Sequence, residues 1–170
     1  MERHSQGQEQ MPEQLLTYLI TAEQGSIEGM ASVIHAMGRK LRWSEKCIFQ
    51  LNLALDEIIS NTLAYGYDQP EIRRIEIFLA QQGNRLIMTI EDNGAPFNPL
   101  EGKPPEVDKP PLQRERCVGG MGIHLVKSMM DAVHYRHAQG KNVLVMQKNL
   151  EEPTLCIAPS DVGAEHGGAE

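Results

Sequence analysis

Between Ser44 and Gly66 the chain carries one uninterrupted helical pattern in which Ile48, Leu51, Leu55, Ile58 and Thr62 recur at intervals of three and four. That spacing lines one side of a single long helix with core-facing side chains, and such a helix is stable only when another layer covers the stripe. Ser44 stands where an N-cap belongs, and Gly66 where the helix should stop. Any fold for this chain has to be built around that helix.

The rest of the pattern supplies the second layer. Leu15–Ala22 reads as a strand, and Ser26, followed by Glu28 in a first turn, caps a helix to about Leu41. After Pro70, Ile72–Ala80 and Arg85–Glu91 are β-rich runs around Gln82-Gly83-Asn84, a hairpin signature. Ile75, Ile77 and Leu79 alternate with other residues, as in a half-buried strand. A third helix, Ile123–Asp131, follows Gly119-Gly120-Met121-Gly122, and Val133–Ala138 and Val143–Lys148 pair across Gln139-Gly140-Lys141-Asn142. This order predicts an α/β (α+β) two-layer sandwich, a mixed, mainly antiparallel sheet covered by helices on one face. Its expected limits are residues 14–149, between polar tails at 1–13 and 150–170. Residues 99–116 hold five of the ten prolines and show no period, the mark of a functional or disordered loop.

Charge and cysteine content narrow the class. Of the formal charge of −7, the stretch 151–170 contributes −5, leaving the remainder near neutral, with no basic stripe for nucleic acid. No apolar run is long enough to span a membrane and no leader-like segment opens the chain, so a cytoplasmic protein is expected. Cys47, Cys117 and Cys156 are odd in number and widely spaced, which predicts reduced thiols. Trp43 is expected to anchor the turn between the first two helices, and Met129 and Met130 to fill core.

Three segments bear on chemistry. Glu57 and Asn61 lie four apart on the long helix and share a face, roughly 100° from the apolar stripe at 3.6 residues per turn. Ala54 and Ala64 flank them and leave room for a ligand. A carboxylate there can orient or deprotonate a nucleophile, and an amide oxygen can coordinate Mg²⁺, although a solvated Glu and a helix-end Asn have the same spacing. Asp92-Asn93-Gly94 follows a strand. It is either a plain turn or a site where Asp92 accepts from an adenine amino group and Gly94 lets the backbone pass close to the base. Gly119-Gly120-Met121-Gly122 before a helix would admit backbone N–H groups to phosphate oxygens. There is no GxxxxGK[ST] and no VAIK, HRD or DFG set, so neither a P-loop nor a eukaryotic-type protein kinase is indicated.

In this order and context the three segments resemble the N, G1 and G2 boxes of the Bergerat ATP-binding fold shared by histidine kinases, DNA gyrase and MutL. The phrases Leu53-Ala54-Leu55-Asp56-Glu57-Ile58-Ile59-Ser60-Asn61, Asp92-Asn93-Gly94-Ala95-Pro96-Phe97-Asn98-Pro99 and Gly119-Gly120-Met121-Gly122-Ile123-His124-Leu125-Val126 are most similar to the anti-sigma factor serine kinases of bacteria, the RsbW and SpoIIAB type. The resemblance implies Glu57 as catalytic carboxylate, Asn61 as Mg²⁺ ligand and Asp92 as adenine contact. It also implies nucleotide contacts at Gly94, Ala95, Arg116, Gly119, Gly120, Met121, Gly122, Ile123 and His124, with 99–118 as an ATP lid. His124 otherwise packs. Pro96 stands where histidine kinases have the last glycine of DxGxG, which sets that branch aside. Val118 stands where some family kinases place an arginine, with Arg114 and Arg116 upstream.

The expected activity is therefore Mg·ATP-dependent phosphorylation of a serine on a STAS-domain anti-anti-sigma partner, with a sigma factor as a second partner and a homodimer as the working form. A binding module that holds a sigma factor or another regulator on ATP, without phosphoryl transfer, is the alternative.

Overall fold

The computed structural model describes residues 11–21, 25–67, 73–101 and 120–150. Five strands, β1 (Glu13–Thr21), β2 (Arg74–Gln82), β3 (Arg85–Asp92), β4 (Ala132–Ala138) and β5 (Lys141–Asn149), form one sheet in the order β1-β2-β3-β5-β4. Three helices, α1 (Ile27–Lys40), α2 (Glu45–Tyr65) and α3 (Gly120–Met129), complete the sandwich. Every neighbouring pair of these strands is antiparallel, so the sheet is not mixed. The two hairpins, β2-β3 and β4-β5, force antiparallel pairing locally, and β5 joins them by lying against β3.

The helix starts follow from local chemistry. Ser26 Oγ accepts from Gly29 N–H at 3.0 Å and Ser44 Oγ from Cys47 N–H at 3.1 Å, each satisfying a backbone donor that the first helical turn leaves orphaned. Between α1 and α2 the chain reverses through Arg42 at φ 58°, and the buried Trp43 packs over Gly38, its backbone N–H donating to the Gly38 carbonyl at 2.9 Å. The α2 stripe is buried as the spacing predicts at Ile48, Leu51, Leu55 and Ile58, with Cys47, Ala54 and Ile59 widening it.

Strand register sorts the sheet's core face into rows. Leu16, Leu79, Met88, Met146 and Val133 form one; Tyr18, Ile77, Ile90, Leu144 and Tyr135 form the next. The third runs Ile20, Ile75, Asp92, Asn142 and His137, and there the apolar face turns polar. The last row thus carries two buried polar residues at the end of an otherwise hydrocarbon core. Burying a polar group is tolerated only when its hydrogen bonds are met, so this row has to be a network.

Candidate functional site

Asp92 and Asn142 are the two polar side chains that are buried among the described residues, at 7% and 5% exposure. They are direct cross-strand partners on β3 and β5. Asp92 Oδ1 accepts from Gly94 N–H and from Asn142 Nδ2, each at 2.9 Å. Asn142 Nδ2 also reaches the Ala95 carbonyl at 3.0 Å and the Gly94 carbonyl at 3.4 Å. On its other side Asn142 Oδ1 accepts from Tyr135 Oη at 2.7 Å and Phe97 N–H at 3.4 Å, with His137 Nδ1 at 3.1 Å. Burial raises the Tyr135 hydroxyl's pKa above its ordinary value. Above this row lies a cleft walled by Ile58 and Thr62 of α2, Ile90, Leu144 and Phe97, with Asp92 and Asn142 as its polar edge.

The loop after β3 is tied to the end of α2. Ala95 N–H donates to the Gly66 carbonyl at 2.9 Å. A β-carbon on Gly94 would overlap that carbonyl and stand 2.9 Å from Asp92 Oδ1, so the protein's own backbone already requires glycine here. Asn93 Oδ1 accepts from Arg74 N–H at 2.9 Å and lies 3.0 Å from the Tyr67 hydroxyl, whose pKa burial raises.

Glu57 and Asn61 share a half-buried face of α2, as their spacing predicts. The first turn of α3 lies against it: a β-carbon on Gly122 would overlap the Glu57 carboxylate and come within 2.5 Å of its Cδ. The Asn61 side-chain nitrogen is buried with no hydrogen-bond partner among the described residues. Ala54 departs from expectation. It is fully buried in the core cluster, so it packs α2 and leaves no ligand space; its place on the helix turns it toward the stripe. Ala64 is exposed.

The glycine segment also departs from expectation. Gly120 to Gly122 do not form a loop before the helix but are the first turn of α3 itself. Within that turn Gly122 lies against Glu57, so α3 approaches α2 there only where a β-carbon is missing. Ile123 is buried in the core, so only its backbone can face a ligand; His124 is exposed, and packing does not hold it. Ala95 is exposed beside the cleft. Met130 is buried and Met129 packs against the core. Arg114, Arg116, Val118, Gly119, Cys117 and Cys156, and all but the first three residues of the 99–118 loop, lie outside the described residues.

Sequence reasoning missed Asn142, which it assigned to the hairpin turn. The turn is only Gln139-Gly140, at φ 55° and 75°, and Lys141 already pairs with Ala138. The available signal was turn chemistry: a two-residue reversal at Gln139-Gly140 makes Asn142, Leu144 and Met146 one face.

No group of three or more His, Cys, Asp or Glu side chains that could hold a metal occurs among the described residues. Mg²⁺ held by phosphate oxygens, waters and one or two protein oxygens needs no such group. Asn61 fits that role, since its buried, unpaired amide can turn to offer a neutral oxygen.

Residues 20–148 match the family described as the histidine kinase-like ATPase domain. Among curated proteins, the serine/threonine-protein kinase BtrW of Bordetella bronchiseptica is 30% identical over 108 residues, 62% of this chain and 72% of the relative. The serine-protein kinase RsbW of Bacillus cereus is 28% identical over 120 residues, 68% and 71% of the two chains. In fold, the chain is similar to the RsbU and RsbW domains of Rv1364c from Mycobacterium tuberculosis, with a TM-score of 0.55 and 13% identity. That likeness covers 80% of this chain and 32% of the solved one. No helix among the described residues is long and apolar enough to cross a membrane. With a buried acidic residue at the end of β3, a carboxylate and an amide one turn apart on α2, and a glycine-opened α3 against them, the chain belongs to the histidine kinase-like ATPase domain family, alongside relatives named as serine/threonine- and serine-protein kinases.

Proposed function

We propose that this protein is a Mg·ATP-dependent serine kinase that phosphorylates a STAS-domain anti-anti-sigma partner and holds a sigma factor when that partner is phosphorylated. The observation that carries the reading is the seat of Glu57: its carboxylate lies against the first turn of α3, where a helix N-terminus presents free N–H donors to anions. Asp92 Oδ1 already has two donors, while Oδ2 has no hydrogen-bond partner among the described residues and is left to accept an adenine amino group at the cleft. Leu144, Ile58 and Ile90 supply apolar walls for the base.

In this reading the α3 N-terminus and Gly122 receive the phosphates, and Asn61 holds the cation. When bound, Mg²⁺ neutralises phosphate charge and orients the terminal group. Glu57 accepts a hydrogen bond from the incoming serine hydroxyl and takes its proton as that oxygen bonds the γ-phosphorus and the bond from the γ-phosphorus to the β-phosphate oxygen breaks, releasing ADP. Gly94 and Ala95 keep the β3 loop pinned to Gly66, so the base and phosphate ends of the site are braced by the same helix.

The test is transfer of labelled γ-phosphate from ATP to a serine of a STAS-domain protein encoded beside this one. Transfer abolished by Glu57→Ala supports the proposal. ATP binding with no transfer to any such protein, with or without Mg²⁺, would leave an ATP-binding adaptor and overturn the kinase reading.

A further inference from the structure

We propose that Asn142 is the positioning residue that makes the site selective for a 6-aminopurine; this rests on the nucleotide-binding reading above. Its amide is held in one orientation by partners that cannot exchange roles. Phe97 N–H can only donate, so Oδ1 has to face it; the Gly94 and Ala95 carbonyls can only accept, so Nδ2 has to face them. Tyr135 Oη at 2.7 Å reinforces the oxygen side. With the amide so fixed, its remaining N–H direction falls on Asp92 Oδ1 at 2.9 Å.

Gly94 N–H supplies the second donor to the same oxygen, also at 2.9 Å. Two donors on Oδ1 stop the carboxylate from turning about χ2, and Oδ2 is the oxygen left for a ligand. An acceptor fixed at that edge pairs with an exocyclic amino group and repels a carbonyl oxygen at the same position of the ring. Discrimination at purine position 6 therefore depends on a residue of β5 that need not touch the base itself.

Asparagine is the side chain the arrangement demands. Aspartate at 142 would set a second carboxylate against Asp92 and against two carbonyl oxygens. Threonine can donate to Asp92 but cannot span to Phe97 and Ala95 together. Leucine has nearly the right shape and no polar atom. The same amide ties the first residues of the loop after β3 to the sheet, so base selection and the position of that loop are linked.

The experiment is calorimetric titration of the parent chain, Asn142→Leu, Asn142→Thr and Tyr135→Phe with ATP and with inosine triphosphate, whose base carries a carbonyl in place of the 6-amino group and a hydrogen on N1. The parent should prefer ATP by about tenfold or more. Asn142→Leu should weaken ATP about tenfold and leave inosine triphosphate nearly unchanged, collapsing the ratio toward one; Asn142→Thr and Tyr135→Phe should fall between. If Asn142→Leu does not fold, the other two variants carry the measurement, with melting temperature checking each. A parent that discriminates while folded variants keep its ratio, or lose both nucleotides equally, overturns the inference and leaves the proposed function standing. A parent that binds neither nucleotide overturns both.

Discussion

Gly122 of α3 lies directly against the carboxylate of Glu57 on α2, so that a single β-carbon at position 122 and the present seat of that carboxylate exclude one another. Gly122→Ala is therefore expected to displace the carboxylate without unfolding the chain. The overlapping atoms are the far end of a flexible side chain, and alanine favours the helix by about 1 kcal/mol over glycine. Melting temperature should hold, while phosphoryl transfer falls by about 10–100-fold, a part of what a positioned acid–base group supplies. A steady-state assay beside a thermal melt checks both halves.

Glu57→Ala should separate binding from chemistry. The carboxylate makes no contact with the base cleft, so ATP affinity should stay within about twofold, while transfer drops by roughly 10²–10⁴-fold. Titration calorimetry and a labelled-phosphate assay on the same sample read the two quantities.

Asn61→Ala removes an amide whose buried nitrogen has no hydrogen-bond partner among the described residues, so it costs the fold little. Its effect should appear in the metal dependence: ATP affinity with Mg²⁺ should fall to near that measured with a chelator present. A variant that retained the full Mg²⁺ enhancement would remove Asn61 from the cation's shell.

Gly94→Ala brings a β-carbon onto the Gly66 carbonyl, a backbone atom that cannot swing aside. Expected is a destabilisation of about 1–3 kcal/mol, read by urea unfolding, together with weaker nucleotide binding.

The outer face carries a pH-dependent element. Glu76 has its carboxyl pKa lowered, first by the hydrogen bond from Arg74 at 2.9 Å and then by Lys141. Its contribution is therefore present above the unfolded carboxylate's pKa and is lost as pH falls through the lower folded value. Lys141, between Glu91 at 2.9 Å and Glu76 at 3.3 Å, has its pKa raised, mainly by Glu91, and its contribution disappears as pH rises through that value. The two cationic partners are exposed, Arg74 at 53% and Lys141 at 44%, and solvent screens their pairs with the less exposed Glu76, so Glu76→Gln should lower the melting temperature by only about 1–3 °C near neutrality. Thermal melts should show that difference closing in acid.

Much of this was legible in the amino acids because it is local. Ser26 and Ser44 cap their own helices, and the α2 stripe has only one way to face a sheet. Glu57 and Asn61 share a face by spacing alone. What could not be read depends on contacts distant in sequence. Three glycines in the four residues from 119 argue against helix on propensity, yet Gly120–Gly122 open α3, and the packing of Gly122 against a carboxylate 65 positions earlier is invisible to local reading. Asn142 was hidden because Val143, Leu144, Val145 and Met146 are all apolar, so the strand has no alternation to reveal its inward face.

The Gln139-Gly140 reversal has a consequence for how this chain can change length. Surface turns usually absorb an added or deleted residue at little cost, but here β5 enters the sheet immediately afterwards, and Asn142 is its second residue. One residue inserted or lost there would rotate Lys141 or Val143 into the place of Asn142 and send the amide to the opposite face. Natural length variants of this hairpin should therefore come in steps of two, and an odd step should mark a protein whose nucleotide preference has been abandoned or rebuilt.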